Sequence, residues 1–156
     1  MRRLCVPLGI ALLVAMMAAV PVSASGGLRP VTLNVSSSFD APQGTFTARG
    51  PVCASGTTTD VVQVIDTGVR LFFDVLKTFE CADHSGTFTL HILATVKPCQ
   101  PLDYGLWAVV GGTGNYVRLR GAGTDVGRYF VGTGSPPGDS CNADGIADVF
   151  RGVMTP

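Results

Sequence analysis

Apolar and polar residues alternate most regularly between Thr87 and Lys97. The even-numbered positions, which we call the apolar parity of this segment, hold Phe88, Leu90, Ile92, Ala94 and Val96. The odd-numbered positions, the polar parity, hold polar residues with the one exception of Leu93. Successive side chains of a β-strand point to opposite faces, so this segment is predicted to be a strand with one buried face. Shorter or weaker patterns of the same kind predict seven further strands, at 31–39, 45–50, 61–66, 69–80, 106–110, 121–130 and 145–153.

No segment beyond residue 24 shows a convincing helical period, so the fold class is predicted to be all-β. Short consecutive strands with tight turns are typical of a meander, a sandwich or an up-and-down barrel. The chain contains 20 Gly and 10 Pro, and only 14% of its residues are charged. This composition agrees with a chain made of many turns.

The first 24 residues have the pattern of a signal peptide. Arg2 and Arg3 precede an almost wholly apolar run at 4–20, and Val22-Ser23-Ala24 supplies the small-x-small pattern that a signal peptidase reads. The alternative is an uncleaved anchor, but this run is near the short limit for a spanning helix. We therefore predict a signal peptide at 1–24, one domain at 25–156, a secreted location and no stable membrane insertion after cleavage.

Four cysteines remain after removal of the leader, namely Cys53, Cys81, Cys99 and Cys141. An even number in a short exported chain indicates two disulfides, for which three pairings exist. If the strands follow an up-and-down order, successive connections alternate between the two ends of the fold. Cys53–Cys81 and Cys99–Cys141 are then predicted, because the other pairings would bridge opposite ends, beyond the usual Cα separation of about 4.4–6.8 Å.

Charge and histidine content exclude several classes of function. The 11 Lys+Arg residues balance the 11 Asp+Glu residues, so no basic excess exists to hold nucleic-acid phosphates. With two histidines, His84 and His91, and no C-x-x-C pair, a structural zinc site is not expected. A dinucleotide loop is also not expected, because position 117 is Val117 and no helix pattern follows. We predict no metal, no cofactor and no nucleic-acid partner.

The most distinctive motif follows the strand that contains Trp107. Glycines there free the backbone for a sharp reversal, Tyr116 can fold back as an aromatic plug, and the next strand begins after Arg120. The turn residues are Gly111, Gly112, Thr113, Gly114, Arg120 and Gly121. This segment resembles the Gly-Gly-Thr-Gly-x-aromatic…Arg-Gly pattern of dirigent proteins, the related turn of allene oxide cyclases, and bacterial exported proteins with an allene-oxide-cyclase-like barrel.

That resemblance implies an antiparallel up-and-down eight-stranded barrel of the calycin type, whose cavity accepts a small hydrophobic ligand. The candidate ligand-binding residues are Phe73, Lys77, Trp107 and Tyr116, with Tyr116 as a lid on the turn side. Asp103 and Tyr104 are expected in a turn near the barrel mouth. The apolar wall residues equally describe a filled core.

Lys77 is unusual because it shares the apolar parity of its strand. We expect its ammonium to snorkel to the strand end, and the alternative is an interior cation. Few ionisable side chains fall on inward parity, which argues against acid–base chemistry. Two other functions remain open, namely a cyclase or isomerase that steers a lipid-derived or phenolic substrate, and an extracellular interaction protein with a filled barrel. The sequence assigns no catalytic residue and no oligomeric state.

Overall fold

The computed structural model describes residues 27–132 and 137–155, so the predicted signal peptide lies outside the described residues. Eight antiparallel strands form a closed barrel in which each strand pairs with its neighbours in sequence and β8 pairs with β1. The strands are β1 (Arg29–Ser38), β2 (Gly44–Arg49), β3 (Ser55–Asp66), β4 (Leu71–Cys81), β5 (Thr87–Val96), β6 (Leu102–Gly112), β7 (Gly121–Phe130) and β8 (Gly145–Met154). The predicted all-β, up-and-down, eight-stranded barrel is confirmed.

Two strands begin at least four residues earlier than the side-chain pattern predicts. β3 begins at Ser55 rather than at residue 61, and β6 begins at Leu102 rather than at residue 106. The polar stretch at 55–59 indicated a loop, yet its residues 56–58 pair with β2 on one side and β4 on the other. As a consequence, Asp60 and Asp103 lie within strands, at positions that the sequence placed outside the predicted strands.

One half of the barrel is filled by aromatic rings. The rings of Phe79 and Phe88 stack with their centroids 4.6 Å apart, and Phe46 meets Phe79 edge-on at 5.1 Å. Phe150 approaches Phe79 edge-on from β8 at 6.3 Å. Such offset-stacked and edge-to-face pairs are the arrangements that aromatic rings prefer. The filled-core interpretation therefore holds for this half, which we call the closed end.

The glycine-rich turn lies at the closed end. Gly114 has a φ of 56°, and a Cβ there would lie 2.3 Å from the carbonyl oxygen of Ser85, so this position requires glycine. The hydroxyl of Tyr116 accepts a hydrogen bond from the backbone N–H of Cys53 at 3.0 Å. The exposed Arg120 donates from Nη1 to the carbonyl of Leu119 at 3.0 Å. Tyr116 is thus a buried plug of the closed end.

Both predicted disulfides are confirmed. Cys53 pairs with Cys81 at a Cα separation of 5.8 Å, and Cys99 pairs with Cys141 at 4.8 Å. The first bond is buried beside the aromatic core, whereas the second is exposed. Two disulfides are consistent with an extracellular protein. Among the described residues, no helix has the length and apolarity needed to span a membrane.

The β3–β4 hairpin projects beyond its neighbours on the β2 side. β2 has only six residues, and its pairing with β3 ends at Thr58. Within the described residues, the rest of β3 pairs with β4 alone, from Thr59 to Asp66. Every residue of β3 beyond Thr58 is exposed, and Asp60, whose side chain turns toward the interior, keeps 28% of that side chain exposed. The barrel wall is therefore lower on this side, and the interior opens to solvent at the end opposite the aromatic core.

Candidate functional site

The open end contains a cavity of about 250 Å³. Its wall is mainly apolar and includes Phe39, Val62, Leu71, Phe73, Val75, Ile92, Ala94, Ile146 and Phe150. Along β4 the inward side chains run from Leu71 at the mouth through Phe73 and Val75 to Lys77, which adjoins the aromatic core. The cavity thus has an apolar mouth and ends on a layer of ionisable groups. We call these groups the polar cluster, which comprises Asp60, Lys77, Asp103, Asp125, Tyr129 and Asp148.

Lys77 is the cation of the polar cluster. It is a cross-strand partner of Asp60 in the β3–β4 ladder, and its Nζ lies 2.6 Å from Asp60 Oδ2 and 3.8 Å from Asp148 Oδ2. Only 3% of its side chain is exposed. The snorkelling prediction is therefore wrong. Because Asp60 belongs to a strand and points inward, the ammonium finds a carboxylate inside the barrel and has no need to reach the solvent.

Gly127 makes room for two carboxylates on the opposite wall. It lies in β7 between Asp103 of β6 and Asp148 of β8, which are its direct cross-strand partners. A Cβ at this position would lie 2.2 Å from Asp103 Oδ1 and 2.8 Å from Asp148 Oδ1. The missing side chain lets the two carboxylates approach each other, and the backbone N–H of Gly127 donates to Asp103 Oδ1 at 2.9 Å.

The carboxylates of Asp103 and Asp125 differ in the hydrogen bonds that they accept. Asp103 also accepts a hydrogen bond from the hydroxyl of Tyr129 at 3.2 Å. By contrast, Oδ1 of Asp125 is buried and has no hydrogen-bond partner in the described structure. Asp125 is only 5% exposed, and an unpartnered buried carboxylate oxygen is costly. Asp125 is thus the unsatisfied group of the cavity.

Burial raises the pKa of all three carboxyl groups on this wall. Desolvation, reinforced by the charges of Asp148 and Asp103, raises the pKa of Asp125 to about 8. Desolvation raises the pKa of Asp148 to about 7, against the opposing effect of the Lys77 ammonium. The pKa of Asp103 is also raised by burial, and burial beside Asp103 raises the pKa of the Tyr129 phenol. The carboxyl groups of Asp125 and Asp148 therefore have pKa values near neutral pH.

The expectation of few inward ionisable groups is wrong. Asp60 was missed and Asp103 was expected in a turn, because the starts of β3 and β6 were misplaced, while Asp125 and Asp148 lie in strands whose parity was left unassigned. A signal was present: Asp125 shares its parity with Gly127 and Tyr129, and Asp148 shares its parity with the apolar Phe150. A carboxylate at an apolar parity position is a usable indication of a buried site.

The structure brings two of the four candidate ligand-binding residues to the cavity, Phe73 and Lys77. Trp107 lies in the core instead, where its Nε1 donates to the carbonyl of Thr124 at 3.0 Å. Tyr116 lies at the closed end and does not cover the cavity mouth. Asp103 lines the cavity but is buried in the polar cluster at its base and not at the mouth, whereas Tyr104 is exposed and does not line the cavity.

Both histidines are away from the polar cluster. His84 lies in the turn after β4, with a φ of 58°. His91 points outward from β5, and its Nε2 lies 2.8 Å from Oδ1 of Asp74, which also faces outward. Neither imidazole lines the cavity. Any proton transfer inside the barrel would therefore use carboxyl groups, the Lys77 ammonium or the Tyr129 phenol.

Three carboxyl groups converge in this cavity. Carboxylate oxygens of Asp103, Asp125 and Asp148 lie within 4.8 Å of one another, and we assign no metal ion to them. The neighbouring Lys77 ammonium already supplies positive charge to Asp148. Two other groupings of potential ligands each contain a pair of disulfide-bonded cysteines, whose thiolates are consumed by the bonds.

The fold and cavity define the class of this chain as an eight-stranded up-and-down β-barrel with an open, partly polar interior. Comparison with protein-family models, curated proteins and solved structures finds no significant match. The resemblance of the Gly111–Gly114 segment to dirigent proteins and allene oxide cyclases therefore stays a prediction.

Proposed function

We propose that this chain binds a small, mainly apolar molecule in the open half of its barrel. The observation that carries this proposal is the cavity of about 250 Å³, whose wall is mainly apolar and whose base is the polar cluster. Ligand sites commonly combine apolar walls with a few polar groups that fix orientation. The volume lies below the usual range of about 300–1,000 Å³, which favours a compact ligand.

The apolar wall supplies most of the affinity. Each 100 Å² of apolar ligand surface removed from water contributes about 2.5 kcal/mol before the entropy of association is subtracted. Phe73 and Ile92 contribute to this wall from β4 and β5. The polar cluster would orient the ligand, because a polar group of the ligand can contact the cluster only when the apolar part of the ligand points to the mouth.

The family resemblance supports the same proposal. It implies a calycin-type barrel with a cavity for a hydrophobic ligand, and the observed strand order agrees with that fold. On this basis we propose that the chain is a distant relative of the allene-oxide-cyclase and dirigent group. The support rests on the turn at 111–121 and on the strand order.

A cavity-filling variant tests the binding proposal. Ala94 lines the cavity, whereas Ala108 is exposed on the outer face of β6, so Ala94→Phe and Ala108→Phe form a matched pair. Hexanol titrated by calorimetry should bind the wild type and Ala108→Phe, and should lose at least tenfold in affinity for Ala94→Phe. Thermal denaturation checks that both variants fold. Equal binding by the two variants would contradict a site inside the barrel.

A natural ligand can be sought in parallel. Native mass spectrometry of the protein, purified from the exported fraction with disulfides intact, should show a small adduct that organic extraction removes. The Ala94→Phe variant should carry less of this adduct than Ala108→Phe. The mass of the adduct would identify the chemical class of the ligand and supply a substrate for turnover assays.

Acid–base catalysis is a second candidate function, favoured by the carboxyl groups of Asp125 and Asp148. Their pKa values of about 8 and about 7 lie near neutral pH, where general acids and bases work best. A cyclase or isomerase acting on a lipid-derived or phenolic substrate would use them together with Lys77. Turnover of the extracted ligand should then depend on pH between about 6 and 9 and be abolished in Lys77→Met, whereas pure binding predicts no turnover in either protein.

We also propose that the chain is secreted and loses its leader after Ala24. The apolar run at 4–20 and the small residues before position 25 support this cleavage. N-terminal sequencing of the protein recovered from outside the cell should begin at Ser25. Recovery of the uncleaved chain in the membrane fraction would instead indicate an anchor.

A further inference from the structure

The polar cluster contains more acidic than basic groups. It holds the carboxyl groups of Asp60, Asp103, Asp125 and Asp148 against the single ammonium of Lys77. Lys77 contacts Asp60 at 2.6 Å and lies 3.8 Å from Asp148. Lys77 is the only cation that lines the cavity among the described residues, and Asp60 and Asp148 are the carboxylates that lie next to it.

The two other carboxylates, Asp103 and Asp125, differ in whether their oxygens accept hydrogen bonds. Asp103 receives the N–H of Gly127 on one oxygen and the O–H of Tyr129 on the other. Among residues 27–132 and 137–155, none donates to Oδ1 of Asp125, although this oxygen is buried and its residue lines the cavity. The cavity therefore lacks one hydrogen-bond donor at a defined place, beneath an apolar wall.

We propose that the ligand of this cavity is a hydrophobic amine, whose ammonium group donates to Asp125 while its apolar body lies against the β4 and β5 walls. This inference rests on the proposed binding function and specifies its ligand class. An ammonium group supplies both the missing donor and a positive charge. A carboxylic acid of the same size would place a second anion beside Asp148 and Asp103, and an alcohol would supply a donor without charge.

The protonation of the cavity makes amine binding pH-dependent. The titratable groups that line the cavity together with Asp125 are Asp60 on β3, Lys77 on β4, Asp103 on β6, Tyr129 on β7 and Asp148 on β8. Desolvation, together with the charges of Asp148 and Asp103, raises the pKa of Asp125 to about 8 against the opposing effect of Lys77, so its carboxyl group is mainly protonated at pH 6. An ammonium that binds beside it displaces this proton, which passes to solvent. Affinity should therefore rise with pH up to about 8, by as much as tenfold per unit.

Three hexyl compounds with different head groups test the proposal. Hexylamine, hexanol and hexanoate are titrated by calorimetry into the wild-type protein at pH 6 and pH 8. We expect hexylamine to bind at least tenfold more tightly than hexanol at pH 8, and hexanoate to bind most weakly. Hexylamine should bind at least tenfold more tightly at pH 8 than at pH 6, while hexanol binding should not change. At pH 7, the heat of hexylamine binding should vary with the ionisation enthalpy of the buffer, because a proton is released.

Two variants assign the effect to one carboxylate. Asp125→Asn should reduce the preference for hexylamine over hexanol to less than threefold, and it should retain hexanol binding. Glu80→Gln, an exposed outward position on β4, should keep the wild-type preference. The proton-release measurement uses the wild type, so it remains decisive even if Asp125→Asn folds poorly.

The outcomes separate this inference from the function on which it rests. If hexanol binds and Ala94→Phe abolishes that binding, but hexylamine binds no better than hexanol, the amine proposal is overturned and the apolar site stands. An unchanged preference in Asp125→Asn would equally overturn it. If neither hexanol nor hexylamine binds, the binding function itself is overturned.

Discussion

Replacing Asp125 by Asn should stabilise the protein at alkaline pH. The carboxyl group is 5% exposed and its Oδ1 lacks a hydrogen-bond donor, so folding holds it in its protonated form. The raised pKa, about 8 against the ordinary 3.8, means that the folded state binds an extra proton between these two values. The free energy of unfolding of the wild type must therefore fall as pH rises from about 4 to about 8, and then level off.

The pKa difference sets the size of this effect. Linkage gives an upper limit of about 6 kcal/mol across the whole window, at about 1.4 kcal/mol per pH unit. Asp148 titrates in the same region and contributes its own part. We therefore expect the stability of Asp125→Asn relative to the wild type to increase by roughly 2–4 kcal/mol between pH 5 and pH 8. Asn retains the shape of the side chain and carries no charge to bury.

Urea denaturation at pH 5 and pH 8, with the disulfides intact, measures this difference. The slope of unfolding free energy against urea concentration should be the same for variant and wild type, which shows that the same surface is exposed. Glu80→Gln provides the control, since its exposed side chain should change stability equally at both pH values. A difference between Asp125→Asn and wild type that does not grow with pH would refute the assignment of a raised pKa to this carboxyl group.

Three further perturbations have defined outcomes. Lys77→Met leaves Asp60 and Asp148 without their cation, so urea denaturation at pH 8 should show a loss of about 3–5 kcal/mol; a loss below 1 kcal/mol would contradict a buried ion pair. Tyr116→Phe removes the acceptor of the Cys53 N–H and should lower the free energy of unfolding by about 1–3 kcal/mol. Hexanol affinity should not change in this variant, because Tyr116 is outside the cavity. Weaker hexanol binding would instead support the prediction that Tyr116 is a lid. Under mild reductant, alkylation and peptide mapping should find the exposed Cys99–Cys141 open before the buried Cys53–Cys81, and the reverse order would contradict the burial difference.

Alternation of side chains was sufficient to predict an all-β chain of about eight strands, whereas the choice of a barrel over a meander or a sandwich came from the resemblance of the turn at 111–121 to dirigent proteins and allene oxide cyclases. The clean period in 87–97 and the turn residues between segments gave the number of strands, since each half-buried strand carries its own pattern. Parity along the chain then gave the disulfides, because an up-and-down order fixes which connections share an end. These inferences depend on local sequence and on chain order, and tertiary packing did not alter them.

The ends of β3 and β6 were decided by the neighbouring strands. The polar segment at 56–58 forms a strand here because β2 and β4 pair with it on both sides. Propensity alone cannot supply that information, since strand preference depends on the partners available. The misplaced starts hid Asp60 and placed Asp103 in a turn, so the inward orientation of both carboxylates was not predicted.

The sequence by itself determined an all-β chain of eight strands, its two disulfides and a glycine-rich turn. Tertiary structure alone decided that Lys77 is an interior cation, because its partners Asp60 and Asp148 come from β3 and β8, 17 and 71 residues away in the chain. It also decided which half of the barrel is filled and where the unsatisfied Asp125 lies. Closure of the barrel brings together inward-facing residues that are far apart in the chain, and no local sequence pattern contains information about such contacts.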